Sequence, residues 1–536
     1  MIKTTTLLAA FGAILLFSCN RNDKSSRSIS KRNTFINARN AYSDFFFDSS
    51  QLVGYISENN LPDSIADRMT SFYNTRNYQF AWFSSAGVTE QGRGFWNMYK
   101  YFHSQAPEKL VPAKTLLKSM DKLVADDDDD WKGRDKKLIK TELALTEYFL
   151  RFHLSNTDKD FIKRKEIEQF VPYVKGNAIN LADSLVNKKH RDDKYYEDTN
   201  PYYGNLKKQL VPYLDIFHHG GWPIVNTQTS SLKPGSKGPQ IALLKKRLQV
   251  SGDMPGSDST MVWTEPLKSA IENFQSRHGY TPDGIITAAQ MVDLNVPVQK
   301  RISQLLVNMD RSLWMIQQPK GKLIKVNIPE FFLHVTEKDK KIFDMAVVVG
   351  KEGSSTTNFT GNLNEIVFAP YWNIPESIIK KEIMPAMDTD PGYLADHAME
   401  INGTMGDGVP SIRQLPGDQN SLGKVKFLFP NSFDIYFHDT PAKSLFSKDK
   451  RAYSHGCIRL SDPKKMAAYL LKDDPSWTTQ KIDEAMNSTE EKSVRLKQPV
   501  PVFITYNTAW VDEAGKLHFA EDIYGHDAKL YQRMFR

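Results

Sequence analysis

The spacing of apolar residues changes once along the chain, near residue 320, and that change limits the possible folds more than any other feature. From about Asn33 to Pro223 apolar positions recur at steps of three and four, as between Lys136 and Leu150, which is the period of helices buried on one face. Another helix is expected from Val298 to Trp314. Beyond it the apolar runs are short, and strands are expected at Lys325 to Val335 and Ile342 to Gly350, forming a hairpin about Glu337-Lys338-Asp339-Lys340. Further strands are expected at Glu365 to Trp372, Lys424 to Phe429, Phe433 to His438 and Val500 to Asn507. Helices followed by strands imply a multidomain α+β chain, helical at the N-terminal end and mainly β at the C-terminal end. The 536 residues suffice for about three folded units.

Between the two ends, Leu232-Lys233-Pro234-Gly235 opens a small helical module. Ile241, Leu244 and Leu248 share a helix face, a second helix runs from Leu267 to His278, Asp283-Gly284 is a turn, and the unit closes near Leu294-Asn295. The aromatic stretch from Phe72 to Phe83 reads as core packing between helices. Ser377 to Leu422 interrupts the strands with helix formers and then a loop rich in Gly, Pro and Asp, and it reads equally as a lid or as a peripheral insertion.

The N-terminus has a basic start at Lys3, an apolar run from Leu7 to Phe17, and Ser18-Cys19, the order of a secretion signal. That run is too short to span a bilayer as a helix. The segment Leu16-Phe17-Ser18-Cys19 resembles the lipobox of bacterial lipoproteins, which implies lipid on Cys19, a polar tether to about Asn33, and a place on the periplasmic side of a membrane. Cys457 is then the one remaining thiol, kept for catalysis or buried as an apolar residue. A net charge of +7 suits an anionic envelope polymer, but basic and acidic residues are interspersed and nucleic acid is not implied. The acidic run Asp126 to Asp130 reads as a solvated loop.

The residues that suggest chemistry are Tyr436-Phe437-His438-Asp439 and Tyr453-Ser454-His455-Gly456-Cys457-Ile458-Arg459-Leu460. Acyl transfer needs a thiol, an imidazole to take its proton and N–H donors for the oxyanion, and these segments contain all three. Gly456, lacking Cβ, leaves the neighbouring backbone free to turn its N–H groups toward a carbonyl oxygen. Zinc held by His438, His455 and Cys457 is a second reading, although no H-E-x-x-H or paired C-x-x-C accompanies it.

The spacing H-x(15)-S-H-G-C-x-R resembles the signature of the L,D-transpeptidase catalytic domain, the YkuD fold. Trp372-Asn373-Ile374-Pro375, Gln414-Leu415-Pro416-Gly417, Asn420 to Phe427 and Phe429-Pro430-Asn431 are similar to its large YcbB-type branch. Likewise G-x-x-G-x-x-I-x-x-L-K-x-R-L from Gly235, A-I-x-x-F-Q-x-R-H-G from Ala270 and D-G-I-I-T from Asp283 resemble the three-helix peptidoglycan-binding module, here a glycan binder or a spacer. The resemblance implies a signal over 1–19, a tether over 20–33, a helical scaffold over 34–230, the module over 231–297, a linker helix over 298–321 and a catalytic domain over 322–536 with a candidate lid at 377–423. It implies Cys457 as nucleophile, His438 as base, and the Asp439 main-chain carbonyl as the group orienting the ring. The N–H groups of His455, Gly456 and Cys457 would form the oxyanion hole, with Tyr436 and Trp372 lining the cleft and Arg459 anchoring the site or meeting a substrate carboxylate. The implied reaction cross-links the third residues of peptidoglycan stem peptides through a thioester, releasing D-alanine, with no metal or cofactor and with carbapenems as covalent inhibitors. An L,D-carboxypeptidase using the same site and a non-catalytic wall-binding lipoprotein are the alternatives.

Overall fold

The computed structural model describes residues 29–105, 114–125, 131–156, 171–187, 197, 200–226, 231–315, 319 and 321–536. The signal, Cys19, most of the tether and the acidic run Asp126 to Asp130 lie outside the described residues. The N-terminal part is helical, with α1 (Asp63–Thr75), α2 (Glu90–Gln105) and α3 (Lys136–Asn156) around a core of Phe72, Tyr73, Phe80, Trp82, Phe95 and Phe149, all fully buried. The aromatic stretch from Phe72 to Phe83 is the centre of this core, and Trp82 and Phe149 lie 5.2 Å apart. A small hairpin, Phe83–Ser84 against Gly87–Val88, is a β pairing that helical periodicity did not suggest.

Helix α4 (Pro201–His218) leads to the small module of α5 (Pro239–Val250), α6 (Glu265–Arg277) and α7 (Ala288–Leu294). Ile241, Leu244 and Leu248 meet Leu267, Ile271 and Phe274 in its core. Helix α8 (Val298–Leu313), expected as a linker, is instead a buried strut. Ile302, Leu305 and Leu306 pack on α4, while Trp314 beyond its end enters the N-terminal core. Asn308 on α8 donates to Thr508 Oγ1 at 2.7 Å, tying the strut to the C-terminal part.

That part is built on β1 (Lys322–Asn327), β2 (Phe332–Glu337), β3 (Lys340–Gly350) and β4 (Phe359–Phe368). An insertion follows, with a small sheet of β5 (Trp372–Asn373), β6 (Met399–Thr404) and β7 (Pro410–Gln414). The main sheet resumes with β8 (Val425–Leu428), β9 (Phe437–His438), β10 (Ala452–Ser454), β11 (Ile458–Leu460) and β12 (Lys492–Thr505). Its strand order is β10-β3-β11-β9-β8-β4-β12-β1-β2, and β2 also pairs with β3, so eight strands close into a barrel with β10 on its rim. Closure removes the open edges that invite association. Val347, Val349, Ile366, Phe427, Phe437, Ile458, Val502 and Ile504 fill the interior.

Three strand expectations, and the reading of the insertion, are corrected by backbone chemistry. The run from Lys325 to Val335 is two strands, because Pro329 has no N–H to give a ladder and sits in a 3₁₀ turn, Ile328–Glu330, that Phe331 ends at φ 60°. The expected strand Glu365 to Trp372 stops at Phe368, where Ala369 (φ 45°) and Pro370 break it and hand Trp372 to the small sheet. Of Phe433 to His438 only Phe437–His438 is strand, since Asn431 draws the preceding residues into a loop by bonding the Phe429 and Ile435 carbonyls and the Phe433 N–H. The insertion is not only helix and loop, because its Gly-rich segment turns β6 back onto β7, Ile401 facing Ile412.

Candidate active site

Strands β9 and β11 run parallel, with Phe437 opposite Ile458 and His438 opposite Arg459. Phe437 and Ile458 are fully buried in the barrel, so alternation turns His438 and Arg459 to the outer wall. One rung earlier the Ile458 N–H donates to the Tyr436 carbonyl at 3.1 Å, which sets Cys457 beside Tyr436 on the same wall. Cys457 and His438 are thus diagonal neighbours, with α-carbons roughly 8 Å apart by strand geometry.

The His438 ring is 4% exposed, and its Nδ1–H donates to the Asp439 carbonyl at 2.5 Å. Nε2 is therefore the basic nitrogen. Burial, reinforced by the Arg459 cation, pushes the ring pKa down to about 3 against the weaker pull of the Asp439 and Leu422 carbonyls. The Asp439 carboxylate is spent on structure: it accepts from Lys443 Nζ at 2.6 Å, the Thr440 N–H at 2.7 Å and the Lys424 N–H at 2.9 Å. Gly423, at φ 62°, permits this, since a Cβ there would lie 2.4 Å from the Asp439 carboxyl carbon.

Burial pushes the Cys457 thiol up, opposed by contact with Tyr436. The thiol donates to the Asp434 carbonyl at 3.6 Å rather than to the ring. Gly456, at φ 117°, makes the turn before it, a conformation that L side chains resist. Three bonds hold that turn: Ser454 Oγ donates to the Cys457 carbonyl at 2.5 Å, the Gly456 N–H donates to Ser454 Oγ at 3.2 Å, and Thr356 Oγ1 donates to the Gly456 carbonyl at 2.7 Å. The Gly456 N–H is therefore already satisfied, which removes it from the expected oxyanion set. Those of His455 and Cys457 have no partner among the described residues.

Arg459 has no carboxylate within ion-pair distance among the described residues, and its Nε is buried without a hydrogen bond, so it does not pin the turn by an ion pair. On the other side of His438, in register, stands Lys426 of β8, which sequence reasoning missed. Its Nζ lies 3.8 Å from Glu491. Thr356 was also missed, because only β3 and its following loop bring it to Gly456. Trp372 packs against the insertion's own apolar cluster. His455 is half-exposed, and its Nε2 lies 3.4 Å from Glu382 in the insertion. His438, His455 and Cys457 do not converge as metal ligands, and no group of three such side chains does so among the described residues.

A closed barrel presenting one thiol beside one neutral imidazole, braced by helical units, defines a multidomain α+β protein with a cysteine-centred site. Residues 321–482 match the family model of the L,D-transpeptidase catalytic domain (YkuD), 67–210 that of the scaffold domain and 237–292 that of a peptidoglycan binding domain. The chain thus carries an L,D-transpeptidase catalytic domain together with scaffold and peptidoglycan-binding domains. A Haemophilus influenzae protein provisionally named an L,D-transpeptidase is 33% identical over 309 residues, 53% of this chain, and the match spans 60% of that relative's length. Among solved structures, an L,D-transpeptidase from Stackebrandtia nassauensis is 16% identical with a TM-score of 0.23, covering 53% of this chain and 98% of its own. L,D-transpeptidase 3 from Mycobacterium tuberculosis, in complex with a faropenem-derived adduct, is 12% identical with a TM-score of 0.18, covering 34% of this chain and 60% of its own.

Proposed function

We propose that the chain is a peptidoglycan L,D-transpeptidase that joins third residues of stem peptides through a thioester on Cys457. The observation that carries this reading is His438 fixed through Nδ1 by the Asp439 carbonyl, on the same barrel wall as the thiol. Both groups rest neutral, so the proton moves during attack rather than before it. The thiol turns from the Asp434 carbonyl toward Nε2, the sulfur adds to the carbonyl of the third residue, and the N–H groups of Cys457 and His455 receive the oxyanion. Collapse breaks the C–N bond, and His438 gives the proton to the departing D-alanine amine. An amine from a neighbouring stem then forms the new amide and releases the thiol. Arg459 offers an unneutralised cation to the D-alanine carboxylate, and the insertion acts as a lid, held near the thiol by Glu382 against His455.

Wild-type protein given disaccharide-tetrapeptide is expected to yield cross-linked dimers by mass spectrometry, and Cys457→Ala none. Disaccharide-tetrapeptide left unchanged by both proteins would leave only a wall-binding role. Trimmed tripeptide without dimer would make the site an L,D-carboxypeptidase. A carbapenem should add its mass to Cys457, and a tryptic map without that adduct would argue against a competent nucleophile. We read Cys19 as a lipid anchor on the periplasmic side of a membrane, which requires an acylated N-terminal Cys19 peptide in the mature protein.

A further inference from the structure

A second polar site lies on the barrel away from Cys457. It is a pocket of about 620 Å³ bounded by β1 and β2, by the first turns of α4, and by a hairpin that pairs Ala509–Val511 with Leu517–Phe519. In the strand order β3 stands between β2 and β11, and none of the pocket's lining residues belongs to the thiol site. Its size is that of ordinary ligand sites, roughly 300–1,000 Å³.

The charges of the lining are balanced among themselves. His334 is held between Asp344 at 2.8 Å and Glu330 at 3.1 Å, Lys341 lies 3.1 Å from Asp344, and His518 lies 2.8 Å from Asp512. Lys325, beside His334 in the ladder, donates to Tyr202 Oη at 2.7 Å, and the exposed Glu513 offsets its charge at the rim. A strongly charged ligand would upset this balance, whereas a neutral one leaves it intact. Neutral hydrogen-bonding groups, by contrast, are left over. Asn507 is 6% exposed, and its main-chain N–H and carbonyl are bonded to the Asn327 carboxamide at 2.8 and 3.0 Å. Its own carboxamide has no partner among the described residues, and neither has that of Asn205 on α4 or the Trp510 Nε1–H. A buried amide without a partner calls for one from outside. The Trp510 ring is packed against His518, 5.3 Å away and 11° from parallel, which fixes a flat apolar wall beside these polar groups.

An aromatic plane bordered by neutral donors and acceptors suits a saccharide, whose ring C–H groups stack on the plane while its polar substituents bond at the edge. We propose that this pocket binds a neutral N-acetylated amino sugar, with the sugar ring on Trp510 and the acetamido group against the carboxamides of Asn507 and Asn205. A carboxamide donates and accepts side by side, as an acetamido group does, so the two pair in matched hydrogen bonds. Lys325 has two N–H groups beyond the one given to Tyr202, and these meet a ring hydroxyl.

The test is calorimetric titration of the full chain with N,N′,N″-triacetylchitotriose, which carries no peptide and so reads binding apart from the thiol chemistry. Cellotriose, with hydroxyls in place of the acetamido groups, is the comparison. Wild type should bind the acetylated trimer about ten-fold more tightly than cellotriose. Trp510→Ala should weaken that binding about ten-fold, the worth of a stacked ring, and Asn205→Ala should weaken it several-fold. Asn205 is half-buried on a helix, so Asn205→Ala keeps the fold and decides the matter if Trp510→Ala does not fold. Wild type that fails to bind the trimer at millimolar concentration overturns the proposal. Undiminished affinity in either folded variant does so as well, because the sugar then sits elsewhere on the chain. Equal affinity for cellotriose overturns the assignment of the acetamido group.

Discussion

His438 and Cys457 are both driven toward their neutral forms by burial, and this sets how the site should respond to pH. A solvent-exposed histidine would protonate near ~6.5 and shut off a base at mild acidity. Here the ring is pushed down to about 3, so it stays unprotonated through that range. The acid limb of kcat/KM should therefore fall well below pH 6, and a limb centred near ~6.5 would show that the ring is solvated in the working enzyme. Cysteine, histidine and the intervening glycine were legible as a motif because they are close in sequence. Thr356 and Lys426 were not, since Lys426 reaches the site through strand pairing and Thr356 through a side-chain bond from the loop after β3, each from a distant part of the chain. The loss of Gly456 from the oxyanion set was equally hidden, because it depends on which way the Ser454 hydroxyl turns.

Among the elements, β1, β2 and β3 carry a polar ladder on the outer wall, with Lys325 opposite His334 and His334 opposite Asp344. Burial alone would depress His334. Its hydrogen bonds to Asp344 at 2.8 Å and Glu330 at 3.1 Å outweigh that and push it up to about 9. A pKa raised above the unfolded value of about 6.5 means that the folded barrel holds an extra proton between the two. The stabilisation is thus complete below about 6.5 and is lost as pH rises through about 9. His334→Gln should lower the unfolding midpoint at pH 6 more than at pH 10, and an equal loss at both would mean the ring contributes packing alone. The hairpin of β2 and β3 was foreseen from its turn, where Lys338 (φ 52°) and Asp339 (φ 60°) reverse the chain. The split before it was marked by Pro329 and went unread because the apolar run continues across it.

For the whole molecule, the joint between the helical part and the barrel rests on Arg311 of α8. Its guanidinium meets Glu90 of the N-terminal part at 2.5 Å and Asp527, in the C-terminal helix α9 (His526–Met534), at 2.9 Å. Removing one partner of a buried ion network leaves charge without compensation, so Arg311→Ala should cost about 3–5 kcal/mol in denaturant unfolding. A loss below about 1 kcal/mol would mean that solvent reaches the joint. Period and turn chemistry by themselves determined a helical part before a mainly-β part and a small helical module between them, while the candidate site residues came from the resemblance of their spacing to a family signature. Closure of the barrel, the burial that holds the ring and thiol neutral, the lack of a carboxylate beside Arg459 among the described residues and the burial of α8 were decided only in the tertiary structure. Local spacing reports which face of an element is apolar, whereas these features depend on what that face meets from segments far away along the chain.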